Sequence, residues 1–340
     1  MVISQEMRSL VCTWRRRRRK PAGSMRVVFC GTSSFAVPAL ERLVTAGHDV
    51  VQCVAQPDRP RGRGLTLEPS PVKQAALRLR VPLMQPERLR AADLRSFPTD
   101  VGVVVAYGQL IRCDVLQLPT HGMLGIHPSL LPAYRGAAPI AWALLQGESV
   151  TGVTIFRLVE RMDAGEILSQ QTVSIAPGED AEQLSKRLSR LGADAVVEAI
   201  AMLGEGRAAF RPQDESQVTL APKLTKRQGH VDWSASADTI VRLVKAIVPW
   251  PGATTWWQGT PLKVWRADVA ALEETPGAAP GTIVGIDHEA IRVAAGRGIV
   301  SLQEVQPAGR RRMSTKQFLA GHPMQPGDHF DKGSSVISDQ

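Results

Sequence analysis

No stretch of this 340-residue chain approaches the ~18 consecutive apolar residues of a membrane-spanning helix, and no membrane partner is expected. Cysteine is scarce. Cys12, Cys30, Cys53 and Cys113 are scattered and form no CxxC, which reads as free thiols in a reducing cytoplasm, with no disulfide framework and no metal. A secretory leader is missing too: the basic run Arg15–Lys20 is followed by Pro21-Ala22-Gly23-Ser24, not by an apolar segment. The turn Gly31-Thr32-Ser33-Ser34-Phe35 lacks the second and third glycines of a dinucleotide fingerprint, which argues against a nicotinamide-dependent oxidoreductase.

Positive charge is present but uneven. Residues 1–24 carry seven basic residues against one acid, Glu6, and so hold two thirds of the formal +9. The run is either a nucleic-acid arm or sequence ahead of a start at Met25, which directly precedes the first strand. The body of the chain is only mildly basic, and its length predicts two domains.

From Met25 the pattern alternates. Apolar runs at Arg26–Cys30, Val50–Ala55, Val101–Ala106 and Leu124–His127 predict strands, followed by Thr151–Leu158 and Ile167–Ser174. Val101–Ala106 is apolar without alternation, as a strand covered on both faces must be. Helical spacing runs over Phe35–Val44 and over Asp180–Leu203. This β-α alternation predicts an α/β fold with a mostly parallel sheet and helices on both faces. Ligands bind such sheets beyond the carboxyl ends of the strands, at Gly31–Ser34, Ala106–Leu110 and His127–Gly136 here. Beyond Gly204 the residues turn polar and Pro-rich, which predicts a linker over 207–229 after a catalytic domain over 25–206. Short β-like runs at Thr254–Gln258, Leu262–Ala267, Gly281–Ile286, Ala290–Ala294 and Gly298–Val305 predict a small barrel or sandwich over 230–330, with 331–340 a frayed tail. The tryptophans there read as core more readily than as stacking platforms.

The stretch His127-Pro128-Ser129-Leu130-Leu131-Pro132-Ala133-Tyr134-Arg135-Gly136, with Met162-Asp163-Ala164-Gly165-Glu166 downstream, is the most informative. An imidazole, a carboxylate and a wall shaped by Pro and Gly lie at short chain distance, and one-carbon acyl transfer to an amine needs those parts. Taken alone, His127 reads as a satisfied strand-end histidine and Asp163 as a turn residue.

The ten-residue stretch closely resembles the folate-dependent formyltransferases. The likeness extends through Gln56-Pro57-Asp58-Arg59-Pro60, Pro69-Ser70-Pro71-Val72-Lys73, Val103-Val104-Val105-Ala106-Tyr107-Gly108, Thr151-Gly152-Val153-Thr154-Ile155, Asp232-Trp233, Trp250-Pro251 and Lys263-Val264-Trp265. The later motifs are similar to the branch that acts on tRNA. The resemblance implies a Rossmann-like catalytic domain followed by an OB-like barrel, a fold that often holds nucleic acid. It implies formyl transfer from 10-formyltetrahydrofolate to the α-amine of initiator methionyl-tRNA, by a monomer that does not bind DNA.

That reaction passes through a tetrahedral adduct, so it needs an unprotonated amine, an oxyanion donor and a proton for the leaving nitrogen. The resemblance assigns these roles to His127, as oxyanion donor or proton shuttle, and to Asp163, as its partner and proton acceptor. It assigns folate contact to Ser129, Leu130, Leu131 and Pro132 and the pterin pocket to Val105, Ala106, Tyr107 and Gly108. Arg59, Arg61, Arg63 and Lys73, on a glycine-rich loop, and Lys223 are expected to meet tRNA. One position departs: two residues before the histidine the family carries an asparagine whose amide holds the formyl oxygen, and this chain has Gly125. That departure leaves open transfer to a small amine, such as an amino sugar or glycinamide ribonucleotide, and a non-catalytic relative.

Overall fold

The structure, a computed structural model, describes residues 23–61, 66–272, 277–287 and 289–331. The Arg15–Lys20 run and Cys12 lie outside the described residues. β1 (Arg26–Gly31) and β2 (Asp49–Val54) open the first sheet. A hairpin, β3 (Arg59–Arg61) with β4 (Thr66–Glu68), leaves it, and β5 (Leu83–Met84), β6 (Val101–Val105) and β7 (Met123–His127) return to it. After the short β8 (Arg135–Gly136), β9 (Val150–Arg157) and β10 (Ile167–Ser174) complete it.

The strand order is β10-β9-β7-β6-β1-β2-β5. The strands from β5 to β7 run parallel, and β9 is antiparallel to both β7 and β10. The chain winds from β1 through β2 to β5, then crosses back to β6 on the other side of β1. The switch point therefore lies between β1 and β6, where an open α/β sheet binds its ligand.

Why the sheet closes around β7 is plain from two glycines. The helix Ala181–Gly204 is capped by Asp180, which accepts from Gln183 N, and buries Leu184, Leu188, Val196 and Ile200. At Gly192 a Cβ would lie 2.6 Å from the Ile126 side chain, so glycine lets the helix seat on that face of β7. Gly125 and His127 point to the other face, since side chains alternate. Cys30 and Cys53 are buried in the core, and burial pushes the Cys53 thiol up to about 12.

The second domain is an antiparallel sheet. Its strands β12 (Ala253–Trp257), β13 (Thr260–Ala271), β14 (Ile283–Ile286), β15 (Ile291–Ala294) and β16 (Ile299–Pro307) are ordered β12-β13-β16-β15-β14. Register shifts within β13 bend it. The two edge strands are joined by the chain's last described residues: Ile283 N donates to Asp328 O, Phe330 N to Gly281 O and Asp331 N to Trp256 O. Asp331, expected in the frayed tail, is therefore part of this closure, which Phe330 completes by packing fully buried against Trp233 and Trp257. Trp233 and Trp257 are core, whereas Trp250 is half exposed.

The segment between the domains is not a loose tether. β11 (Leu220–Ala221) pairs in parallel with β8, Tyr134 N donates to Thr219 Oγ1, and Trp142 Nε1 donates to Pro222 O. Upstream, Arg211 bridges Ile167 at the start of β10.

Candidate active site

His127 ends β7 and is buried. Its Nε2 lies 2.9 Å from the Tyr134 carbonyl oxygen. A carbonyl only accepts, so Nε2 carries the hydrogen, and in the neutral ring Nδ1 is a free base. That Nδ1 stands 3.7 Å from Asp163 Oδ2, outside direct hydrogen-bond reach. Burial holds the imidazole below its ordinary pKa, while the Asp163 carboxylate and the Tyr134 carbonyl pull the other way. A buried basic nitrogen thus faces a carboxylate across a gap slightly wider than a hydrogen bond.

Asp163 sits in a constrained loop. Its φ is 51°, a conformation that costs a non-glycine residue of order 1–3 kcal/mol. The Gly136 N–H donates to its Oδ2 at 2.9 Å, and the Gln213 amide donates to its carbonyl at 2.8 Å. Gly165 closes the loop against β9, where a Cβ would lie 1.7 Å from the Arg157 carbonyl oxygen.

The turn between β7 and β8 is tied down from β9 and β10. Ser129 Oγ donates to Ala133 O, Thr154 Oγ1 donates to Ser129 O and receives Leu131 N, and Gln170 Nε2 donates to Leu131 O. Ser129 is fully buried, and Leu131 packs with Phe156 and Ile167 in a small core of its own. These two residues shape the turn from within, and Leu130 and Pro132 are its half-buried members. Sequence reasoning missed Thr154 and Gln170.

Beside it, past the end of β6, Ala106 (φ 42°) and Gly108 (φ 80°) are both left-handed, and both are exposed. The Tyr107 carbonyl between them accepts from Thr32 Oγ1 and Gln56 Nε2, which pins this turn to the end of β1. Val105 and the Tyr107 ring are buried, the latter in a core with Cys30 and Met123. The turn therefore presents backbone, not side chains, at the switch point. At Gly108 the φ of 80° favours glycine, and a Cβ would also displace Gln56 Nε2, 2.5 Å away, from its bond to the Tyr107 carbonyl. Exposed backbone donors and acceptors at a switch point can pair with the edge of a flat heteroaromatic ring.

Two family models match this chain: "Formyl transferase" over residues 25–200 and "Formyl transferase, C-terminal domain" over 223–323. A methionyl-tRNA formyltransferase of Chloroflexus aurantiacus is 47% identical over 304 residues, covering 87% of this chain and 97% of that protein. The chain belongs to the methionyl-tRNA formyltransferases. A relative of that name in Nitrosomonas europaea is 40% identical, covering 91% of this chain and 97% of its own. The crystal structure of HypX from Aquifex aeolicus in complex with tetrahydrofolic acid superposes with a TM-score of 0.62 at 20% identity, over 90% of this chain and 50% of that one, and shares the fold. As a family member, the chain is a formyl-transferring enzyme.

Within this family the departure at Gly125 has a structural counterpart. Gly125 pairs with Phe156 across β7 and β9. A Cβ at Gly125 would lie 2.4 Å from the Phe156 ring and 2.8 Å from Leu158. Its φ is not in the left-handed region, so occupied space, not backbone conformation, keeps the position glycine. The same ring lies edge-on to His127, with centroids 6.4 Å apart. Gly125→Asn alone is therefore overpacked, and we expect a stability loss of about 1–3 kcal/mol with a reduced rate. Phe156 is itself buried, so Phe156→Ala carries its own cost, but the double variant should lose clearly less than the two single losses summed. A thermal melt series checks this, and simple additivity of the two substitutions would contradict it.

The basic residues divide. Arg59 is exposed on β3, Arg61 ends the same strand, and Arg63 lies outside the described residues. The expected loop is thus a hairpin where it is described, with Arg59 paired to Glu68 in register. Lys73 is not on that loop. It lies in the helix Pro71–Leu79, whose Ser70 cap accepts from its backbone N–H, and its Nζ meets Asp58. Lys223 is exposed just after β11. Among the described residues no cluster of three or more His, Cys, Asp or Glu is arranged to hold a metal, and no helix is long and apolar enough to cross a membrane.

Proposed function

We propose that this enzyme formylates the α-amine of initiator methionyl-tRNA with 10-formyltetrahydrofolate, in the cytoplasm, and that His127 and Asp163 are its catalytic pair. The observation that carries the reading is the unprotonated Nδ1 of a buried histidine facing a carboxylate 3.7 Å away, at the carboxyl end of the sheet. The donor supplies an activated formyl group when bound. His127 Nδ1 takes a proton from the attacking amine, and the resulting imidazolium is stabilised by Asp163. The same Nδ1–H then points toward the site and returns the proton to the departing nitrogen. The left-handed turn at Ala106–Gly108 would hold the pterin edge, and Leu130 and Pro132, the half-buried members of the neighbouring turn, would contact the folate. No amide stands at Gly125, so the Nδ1–H serves the oxyanion of the tetrahedral adduct only once the amine proton has reached it, before that proton passes to the departing nitrogen.

Incubating the protein with 10-formyltetrahydrofolate and either charged initiator tRNA, an amino sugar or glycinamide ribonucleotide tests the reading. Rapid formylation of the charged tRNA alone supports it, and preference for a small amine overturns it.

For tRNA we assign Arg59, Arg61 and Arg63 to direct contact. Lys73 acts from the base of the hairpin, where its pairing with Asp58 braces the first strand. Replacing the three arginines by alanine should weaken tRNA binding about 10–100-fold and leave folate affinity within about twofold. The salt dependence should flatten by about 0.7 in slope for every phosphate that is no longer neutralised. Removing residues 1–24 should change little. Filter binding at several salt concentrations decides between these sites, since full affinity in the triple variant and weakened binding in the deletion would move the arm to Arg15–Lys20.

A further inference from the structure

We propose that Gln213, in the segment that joins the two domains, is a positioning residue for Asp163. The inference rests on the reading of Asp163 as half of the catalytic pair. The Gln213 amide donates to the Asp163 carbonyl at 2.8 Å and to the Gly165 carbonyl at 2.7 Å, and so grips the loop on either side of Ala164. Its own carbonyl oxygen accepts from Arg135 Nε at 3.0 Å and Nη2 at 2.7 Å. Every strong polar atom of this side chain is therefore engaged, and its donors both go to one short loop.

That loop needs outside support. Asp163 holds a left-handed backbone that costs a non-glycine residue energy even though aspartate tolerates it better than most, and Gly165 leaves no slack against Arg157. The other anchor of Asp163 is the Gly136 N–H, and Gly136 is itself pressed by β11: a Cβ there would lie 2.5 Å from the Ala221 carbonyl oxygen. Backbone and carboxylate of Asp163 are thus both set by chain beyond residue 206.

Arg135 completes the frame. Its guanidinium is buried, and its remaining donor capacity goes to Glu215, which also meets Arg161 next to the loop. The hydrogen bond from Arg135 holds the Glu215 carboxyl below its usual range, so Glu215 stays charged and keeps that guanidinium oriented toward Gln213.

The test uses the full chain with Gln213→Met, which matches glutamine in length and lacks its donors, and Gln213→Ala. Both should lower kcat about 20–100-fold, because a displacement near 1 Å at a catalytic group costs about 100-fold. KM for the folate donor and for charged tRNA should stay within about twofold, and melting should shift by only a few degrees. In an Asp163→Asn background, Gln213→Met should cost less than twofold more, because the residue acts only through Asp163. A wild-type kcat in Gln213→Met would overturn the inference, as would a full additional loss in the Asp163→Asn background. If Asp163→Asn itself keeps the wild-type rate, the catalytic reading fails. If Asp163→Asn is inactive while Gln213→Met is not, only the present inference fails.

Discussion

Replacing His127 by alanine should lower the single-turnover rate of formyl transfer by about a thousandfold, and Asp163→Asn should do nearly the same. General acid–base groups are worth about 10²–10⁴ in rate, and in the proposed mechanism one nitrogen both accepts and returns the proton. The two losses should be far from additive, because the pair works as a unit. Folate binding persists, since neither side chain lies on the Ala106–Gly108 turn. The pH profile separates the partners. In the proposed mechanism the active form is the neutral imidazole, and burial holds its pKa below 6.5. Activity is therefore kept as pH falls to 6.5 and is lost below it, through the lowered value. Asp163→Asn removes the carboxylate that pulls this value up, so the acid limb of the residual activity moves to still lower pH. Rapid quench across pH 5–8 measures both, and a near-normal rate in either variant removes the pair from the chemistry.

Gly165→Ala, one methyl group, should cost about a hundredfold in kcat. The added carbon would meet the Arg157 carbonyl oxygen at 1.7 Å, a backbone atom in the sheet. No rotamer change relieves that clash. The loop must lift, although Arg157 N donates to Glu166 O and Gln213 holds Gly165 O from the far side. Asp163, two residues earlier, moves with it. Misplacement of this order costs about 100-fold even when the chemistry itself is intact. We expect folate affinity within a few-fold of normal and a lowered melting temperature. Steady-state kinetics with a calorimetric scan checks it, and an unchanged kcat would show that the loop tolerates displacement.

The sheet is legible in the sequence because its inner strands are apolar on both faces. The runs Val101–Ala106 and Leu124–His127 match the observed strands to within a residue at each end. The helix Pro71–Leu79 is not picked out by periodicity, although Ser70 followed by Pro71 is a cap and first-turn signal. Its basic residue Lys73 groups by composition with the neighbouring arginine loop instead. His127 and Asp163 are legible through their motif, and they stand face to face. Their surroundings are not legible, for a physical reason. Phe156 fills the space at Gly125 through a pairing of antiparallel strands, and nothing in either residue's local sequence announces the other. Gln213 reads as one more polar residue in a linker. Its partners lie 50 and 48 residues upstream, and no periodicity links them.

The pairing of β11 with β8 has a consequence for the order in which the molecule is made. Thr219 and Tyr134 are 85 residues apart in the chain. Pairings of such separation close late, after the local elements have formed. During synthesis the residues of the first sheet leave the ribosome well before Gln213 and Leu220–Ala221, and domains fold roughly in that order. A nascent chain halted just past the long helix Ala181–Gly204 therefore has its sheet but not the strand that presses on Gly136. On the proposed role of Gln213 the enzyme is completed from downstream: its first domain is expected to become competent only when the ribosome has translated the strap leading to the second.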